Sequence, residues 1–225
     1  MGRVSSTERF HLDLLTWAEH HFDVDDVVYR WSAQDYVPVD SLPFVGPILP
    51  LTPDVVVATG FAKWGMTNGT AAALALAERL TAASRTTASW SFAFDPARVG
   101  GLSGLQRIVD MNLRVTRRFL EDHARPPLPA PPTGQARPGS QGAPDRPPPV
   151  DASIRREGVH YIGTSGQTTE GEAPCRVSVT CPHLGGILRW NDAERTWDCP
   201  LHGSRFARCG ALLQGPAVDD LQARP

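Results

Sequence analysis

The chain has 225 residues, of which 41% are apolar and 20% charged, with a formal net charge of -2. That length allows one large domain or two small ones with a buried core, and the balanced charge points to no particular partner. There is no apolar run of about eighteen residues, no secretory leader at Met1 and no basic cluster able to track phosphates. The expectation is a soluble, cytoplasmic protein that engages neither a membrane nor a nucleic acid.

Residues 7–21 place Phe10, Leu12, Leu14, Leu15, Trp17 and Ala18 among charged side chains. This is the pattern of an amphipathic helix begun by a Thr cap, with Asp13 and Glu19 on its wet face and His11, His20 and His21 at its surface. Residues 27–31 (VVYRW) predict a strand. Residues 34–40 and 42–46 predict structured loops in which Asp35 and Asp40 fix the backbone. A short apolar strand at 55–58 then runs into the glycine loop 59–69, and residues 70–80 are Ala- and Leu-rich helix. A strand–glycine–helix junction lets a ligand approach the backbone and favours negative charge at the helix start, although many proteins use it only for packing.

Residues 10–98 resemble the C-terminal part of FAD-dependent oxidoreductases of the D-amino-acid-oxidase type. The resemblance rests on WSAQD (31–35), DSLPFVG (40–46) and ATGFAKWGMTNG (58–69). It implies that Gly65, Met66 and Thr67 face the flavin ring and that Pro43 and Gly46 line the site, with Trp64 as either a ring neighbour or a core residue. FAD is thus a candidate cofactor, but the ADP-binding half is absent from this chain. No strand here leads into G-x-G-x-x-G followed by an acidic residue some twenty positions on. On this resemblance the chain reads as the C-terminal portion of a larger flavoprotein fusion, and no residue can be nominated as catalytic.

Residues 102–123 carry Leu105, Ile108, Val109, Leu113, Thr116, Phe119 and Leu120 at helical spacing, and the helix is expected to pack back on the first domain. Its apolar stripe would lie exposed without the missing half. From 124 to 150, prolines alternate with Gly, Ser and Gln, a composition that cannot pack and makes a stiffened, flexible-jointed linker. Such a tether raises the effective concentration of whatever it joins.

Beyond the linker, Cys181 and His183 are followed after fifteen intervening residues by Cys199 and His202. Each pair sits on one short loop with proline after the cysteine and glycine close behind the histidine. A closed zinc shell can also use two thiolates and two imidazoles, but a zinc finger pairs its cysteines and then its histidines, whereas here the two types alternate. The alternation suits an iron–sulfur centre in which two thiolates hold one iron and two imidazoles the other.

Residues 154–221 resemble a Rieske 2Fe-2S domain, on CPHLG (181–185) and CPLHGSRF (199–206). By that resemblance Cys181 and Cys199 hold the sulfur-ligated iron, and His183 and His202 the outer, redox-active iron near solvent. Many such domains carry a second cysteine in each loop, joined across the cluster. The matching positions here are Gly186 and Leu201, so that disulfide is missing as a pair, as expected in a reducing cytosol. Ser204 stands where a serine donates to cluster sulfur in high-potential relatives, while Phe206 replaces the tyrosine donor, which predicts a lower potential. Cys175 opens a predicted strand (175–180) and Cys209 precedes Gly210 at a turn. Both read as small buried or turn residues, and a disulfide between them is left open.

The expected fold class is α+β: a truncated α/β flavoprotein-like segment, a Pro-rich linker, then an all-β Rieske domain. The expected domains are residues 1–123, 124–150 and 151–225. The expected function is electron transfer in which the cluster exchanges electrons with flavin and with a redox partner protein or a small-molecule donor or acceptor. The rival is a stand-alone Rieske carrier with a non-functional flavoprotein remnant. A ring-hydroxylating oxygenase is disfavoured, since no two-histidine, one-carboxylate catalytic domain follows the cluster.

Overall fold

A computed structural model describes residues 7–49, 51–81, 89–98, 102–124, 152–166 and 173–225. Beyond Ala124, the expected linker lies outside them. Helices and strands mix as expected, with helices concentrated in the N-terminal part and antiparallel β-sheet in the C-terminal part. The chain divides into two compact units, one made of Met1–Ser32 with Val115–Pro225, the other of Ala33–Arg114.

The second of these units holds the hairpin of β1 (Phe44–Pro47) and β2 (Val56–Thr59), helix α2 (Gly65–Thr81) and a 3-10 turn, Ser89–Phe94. Val45, Ala72 and Ala75 form its small buried core, with Phe61, Leu76 and Phe94 packed against them. Two expectations change here. Residues 44–47 form a strand rather than a loop, because each pairs with a residue of β2, Phe44 with Thr59 through Pro47 with Val56. Helix α2 begins at Gly65, so the glycine loop ends at Trp64. The Trp64 carbonyl accepts both the Asn68 N–H at 2.8 Å and the Thr67 hydroxyl at 3.2 Å, which closes the first helical turn early.

Asp40 fixes its loop as expected. Arg98 donates to its two carboxylate oxygens at 2.6 and 2.9 Å and also to the carbonyls of Pro43 and Leu42. The hydrogen bond from Arg98 is the first cause that holds the Asp40 carboxyl down at about 2, against the opposing effect of burial.

The C-terminal part of the other unit is two antiparallel sheets. One is β3 (Ala152–Glu157), β4 (His160–Ser165) and β5 (Cys175–Ser178); the other is β6 (Arg189–Asn191), β7 (Thr196–Asp198), β8 (Arg205–Ala207) and β9 (Leu212–Gln214), in sequence order. Their shared core is Tyr161, Val177, Val179, Ile187, Leu188, Trp197 and Phe206 with Cys181 and Cys199. Trp197 and Phe206 face each other across the β7–β8 register and are fully buried. The chain end returns along β5, where the Arg224 N–H donates to the Arg176 carbonyl at 2.9 Å.

Helix α1 (Glu8–His21) forms, but not as a Thr-capped helix. Thr7 stands at the cap without a side-chain bond to the helix; its hydroxyl turns instead to Asn191 and Asp192. The cap is Asp192, whose Oδ1 accepts the N–H groups of Thr7 at 2.7 Å and Glu8 at 3.2 Å. No strand forms at residues 27–31, which pair with no strand among the described residues and leave Val28, Tyr29 and Trp31 exposed. A strand without a neighbour has no ladder to satisfy its backbone. Helix α3 (Leu102–Ala124) forms as expected, yet its C-terminal end belongs with the sheets rather than with the first domain. Its stripe of Leu105, Ile108, Val109 and Leu113 is exposed.

Two measurements test these anchors. Asp192→Ala removes a helix cap and is expected to cost about 1 kcal/mol, with faster amide exchange in the first turn of α1; unchanged exchange there would leave Asp192 outside the capping account. Because the folded Asp40 pKa lies below its unfolded value of 3.8, its contribution is complete above about pH 4 and is lost as pH falls toward 2. Acid titration of wild type and Arg98→Leu, followed by circular dichroism, should show that step only in the wild type.

Candidate metal centre

Two loops carry the four expected ligands, one between β5 and β6 and one between β7 and β8. They fold alike because they share one word, C-P-x-x-G. In the first, the Gly185 N–H donates to the Cys181 carbonyl at 2.9 Å and the Cys181 N–H to the Gly186 carbonyl at 2.8 Å. In the second, the Gly203 N–H donates to the Cys199 carbonyl at 3.0 Å and the Cys199 N–H to the Ser204 carbonyl at 2.7 Å. Both reversals need a left-handed residue, and Gly185 (φ 73°) and Gly203 (φ 85°) supply it without a Cβ penalty. The Thr180–Ile187 bridge closes the base of the first loop, and the Asp198–Arg205 pair closes the second.

The folded loops separate the donors by type. Cys181 and Cys199 are buried, at 2% and 3% exposure, while His183 and His202 are exposed with ring centroids 5.1 Å apart and planes at 86°. The two sulfurs are hydrogen-bonded to each other. The bond from Cys199 is the first cause that brings the Cys181 thiol down to about 6; burial opposes it, and the His183 N–H, the Ser204 hydroxyl and the Leu184 N–H assist it. Cys199 is pushed up by the same shared bond and then by burial, although the N–H groups of Leu201 and His202 pull the other way. Burial lowers the His202 pKa, with the charge of His183 adding to it, so the neutral, ligating imidazole is favoured.

Each sulfur therefore already receives backbone N–H groups from the second and third residues after it. Ser204, fully buried, adds a hydroxyl to Cys181 while its Oγ accepts the Ala217 N–H at 3.0 Å. Phe206 is fully buried and offers no hydroxyl. This donor set fits a two-iron core: buried thiolates as one pair, imidazoles as the other. Among the described residues, no three His, Cys, Asp or Glu side chains group as holders of a single ion.

The places of the missing loop cysteines are filled by packing. A Cβ on Gly186 would stand 2.7 Å from Leu201 Cδ1 and 3.1 Å from Cys199 Sγ, so the leucine occupies the room that a side chain at 186 would need. A disulfide does exist, but lower down. Cys175 and Cys209, expected only as buried or turn residues with the bond left open, are joined with Cα atoms 5.1 Å apart and a sequence separation of 34. The closed loop contains both ligand loops, and a closure of that length stabilises by about 3–4 kcal/mol in the chain-entropy account. No sequence signal marked this pairing, because partners cannot be assigned without distance.

The expected flavin contacts fall in two settings. Gly65, Met66 and Thr67 form the exposed first turn of α2, Met66 at 91% exposure. Pro43 and Gly46 are buried; the Pro43 carbonyl accepts Arg98, and Gly46 lies close to Pro96, which a Cβ would approach to 3.1 Å. Trp64 is largely exposed. No helix among the described residues is long and apolar enough to cross a membrane.

Comparison with known proteins gives two separate family matches. The family profile for FAD dependent oxidoreductase (DAO) matches residues 2–79, and that for the Rieske [2Fe-2S] domain matches residues 164–225. YhfW of Bacillus subtilis (strain 168), named as a Rieske 2Fe-2S iron-sulfur protein, is 34% identical over 98% of this chain and 40% of its own length. The iron-sulfur subunit of the cytochrome b6-f complex of Synechococcus sp. (strain JA-3-3Ab) is 39% identical over 20% of this chain and 27% of its own. The plasma-membrane Rieske protein PetC3 of Synechocystis PCC 6803 is 29% identical over 32% of this chain and 72% of its own, with a TM-score of 0.30. This chain spans less than half the length of the two curated relatives.

Gly186→Ala should lower iron and sulfide content after anaerobic reconstitution, and Gly186→Ala with Leu201→Ala should recover part of it, because the closer clash, with Leu201, is then gone while the 3.1 Å approach to Cys199 Sγ stays. Equal loss in both variants would show that the leucine is not what excludes a side chain at 186. The matched ranges and the paired ligand loops give one conclusion: residues 164–225 are a Rieske 2Fe-2S electron-transfer domain, in a chain whose residues 2–79 match the FAD dependent oxidoreductase (DAO) family.

Proposed function

We propose that this chain is a one-electron carrier of a flavin-dependent oxidoreductase, its cluster held by Cys181, His183, Cys199 and His202 and exchanging electrons with a flavin beside Gly65, Met66 and Thr67. The observation that carries the proposal is the division of donors, with both sulfurs buried and both imidazoles at the surface. When bound, the cluster supplies single-electron transfer at a potential set by its surroundings.

The remaining work belongs to the chain. The N–H groups of His183, Leu184, Leu201 and His202 and the Ser204 hydroxyl disperse negative charge on sulfur, which favours the reduced form. Leu201 against Gly186 keeps water from the buried pair. The exposed imidazoles give a redox partner protein, or a small-molecule donor or acceptor, a short path to the centre. On the flavin side, the exposed start of α2 offers free N–H groups where negative charge on a reduced ring would be favoured. Those residues bind and orient; none is assigned as acid or base.

The second reading, a stand-alone Rieske carrier with a flavoprotein remnant, is favoured by the small buried core of unit Ala33–Arg114 among the described residues. The cytoplasmic placement is a proposal as well. Thiol trapping of Cys175 and Cys209 in intact cells tests it, since a persistent disulfide is the mark of an oxidising compartment.

Purified protein should give a rhombic paramagnetic signal of low average g on reduction, together with a flavin spectrum. Iron and sulfide without flavin would select the carrier, and neither signal would end both readings. In redox titration the wild type should lie below respiratory Rieske proteins, Ser204→Ala lower still, and Phe206→Tyr higher. Identical potentials in all three proteins would remove these two positions from the tuning.

A further inference from the structure

Helix α3 lies in neither matched range, yet its C-terminal end rests on a ligand loop. Phe119 Cε2 is 3.7 Å from the point where a Cβ on Gly185 would stand, so the ring meets the turn that follows His183 and Leu184. The next turn is pinned to the sheets. Asp122, 3% exposed, accepts from Arg118 Nε at 2.9 Å and from Arg189 Nη2 at 2.7 Å. Arg189 opens β6 just after Ile187, the residue whose bridge to Thr180 closes the loop. His123 packs against Phe119 with ring centroids 4.1 Å apart, and its carbonyl accepts the Tyr161 hydroxyl at 3.1 Å.

Chance contact does not bury a carboxylate. A charge removed from water is stable only with partners in place, and removing one is strongly destabilising. Asp122 therefore fixes the depth and rotation of the helix end, while Leu120 on the same turn stays 61% exposed. What that rotation presents to the loop is Phe119. Beneath it lies the Gly185 reversal, from which the His183 and Leu184 N–H groups are aimed at Cys181.

We propose that Phe119 and Asp122 are positioning residues for the Rieske centre: the end of α3 is a built-in cover that holds the 181–186 loop closed and keeps its N–H donors on Cys181. The effect on potential rests on the Rieske reading; the covering of the loop does not. Loosening the cover weakens the N–H donors to sulfur, and weaker donation disfavours the reduced form.

Amide hydrogen exchange and redox titration of the full chain test this with Phe119→Ala, Phe119→Leu, Asp122→Asn and the exposed control Leu120→Ala. Phe119→Ala and Asp122→Asn should speed exchange at residues 184–186 by about tenfold or more, and Leu120→Ala should not. Phe119→Ala should lower the potential, and Phe119→Leu should restore most of it. Unaltered exchange in both Phe119→Ala and Asp122→Asn overturns the cover. Faster exchange with an unaltered potential overturns the positioning role, leaving the helix as a prop. A wild type without the rhombic signal removes the Rieske reading and the positioning role with it, while the exchange result still decides the cover. Should Phe119→Ala fail to fold, Asp122→Asn carries the exchange test alone.

Discussion

Two glycines with positive φ, Gly185 and Gly203, set the terms for the rest of the C-terminal domain. Each lets the chain reverse within five residues of a cysteine, so that the glycine N–H returns to the cysteine carbonyl and the amides between them turn toward sulfur. A residue with a Cβ meets a steric penalty in that region, and the reversal would open. The donors to sulfur are thus backbone groups fixed by turn geometry, which need no further reorganisation when charge arrives. The two loops differ only in which of the two middle positions holds histidine, second after Cys181 and third after Cys199.

Around that geometry the domain divides inside from outside. The sulfurs belong to the same buried cluster as Trp197, Phe206 and Ile187, while the imidazoles stay in solvent reach. Closure of the tip comes from Leu201 against Gly186, and closure of the base from the disulfide between Cys175 and Cys209. The covalent link thus sits away from the centre, where it constrains the loop that contains all four ligands without contributing to their immediate surroundings.

Segments outside the Rieske range also hold this domain. Asp192 caps α1, and Asp122 seats the end of α3 between Arg118 and Arg189. Both anchors are charged groups that satisfy helix or guanidinium donors, so they define orientation as well as contact. Unit Ala33–Arg114 is built differently, with three small or branched side chains at its buried centre and Arg98 binding Asp40, Leu42 and Pro43 into one loop. Large apolar side chains along α1 and α3, among them Leu14, Trp17, Leu105 and Leu113, remain exposed.

The amino-acid sequence alone determined the ligand loops, the helices near residues 8–21 and 102–124, the strand at 56–59 and the two family resemblances, because each is a local pattern: spacing, periodicity, or glycine and proline at fixed offsets. Tertiary structure decided what depends on partners distant along the chain. The cap of α1 lies 184 residues away at Asp192, the strand at 44–47 exists because β2 pairs with it, and residues 27–31 stay out of any sheet among the described residues for want of such a partner. The Cys175–Cys209 bond and the seat of Asp122 are of the same kind. Composition and spacing describe what a segment can do by itself, whereas a disulfide, a buried ion pair or a borrowed cap requires two segments in register, and only the folded chain sets that distance.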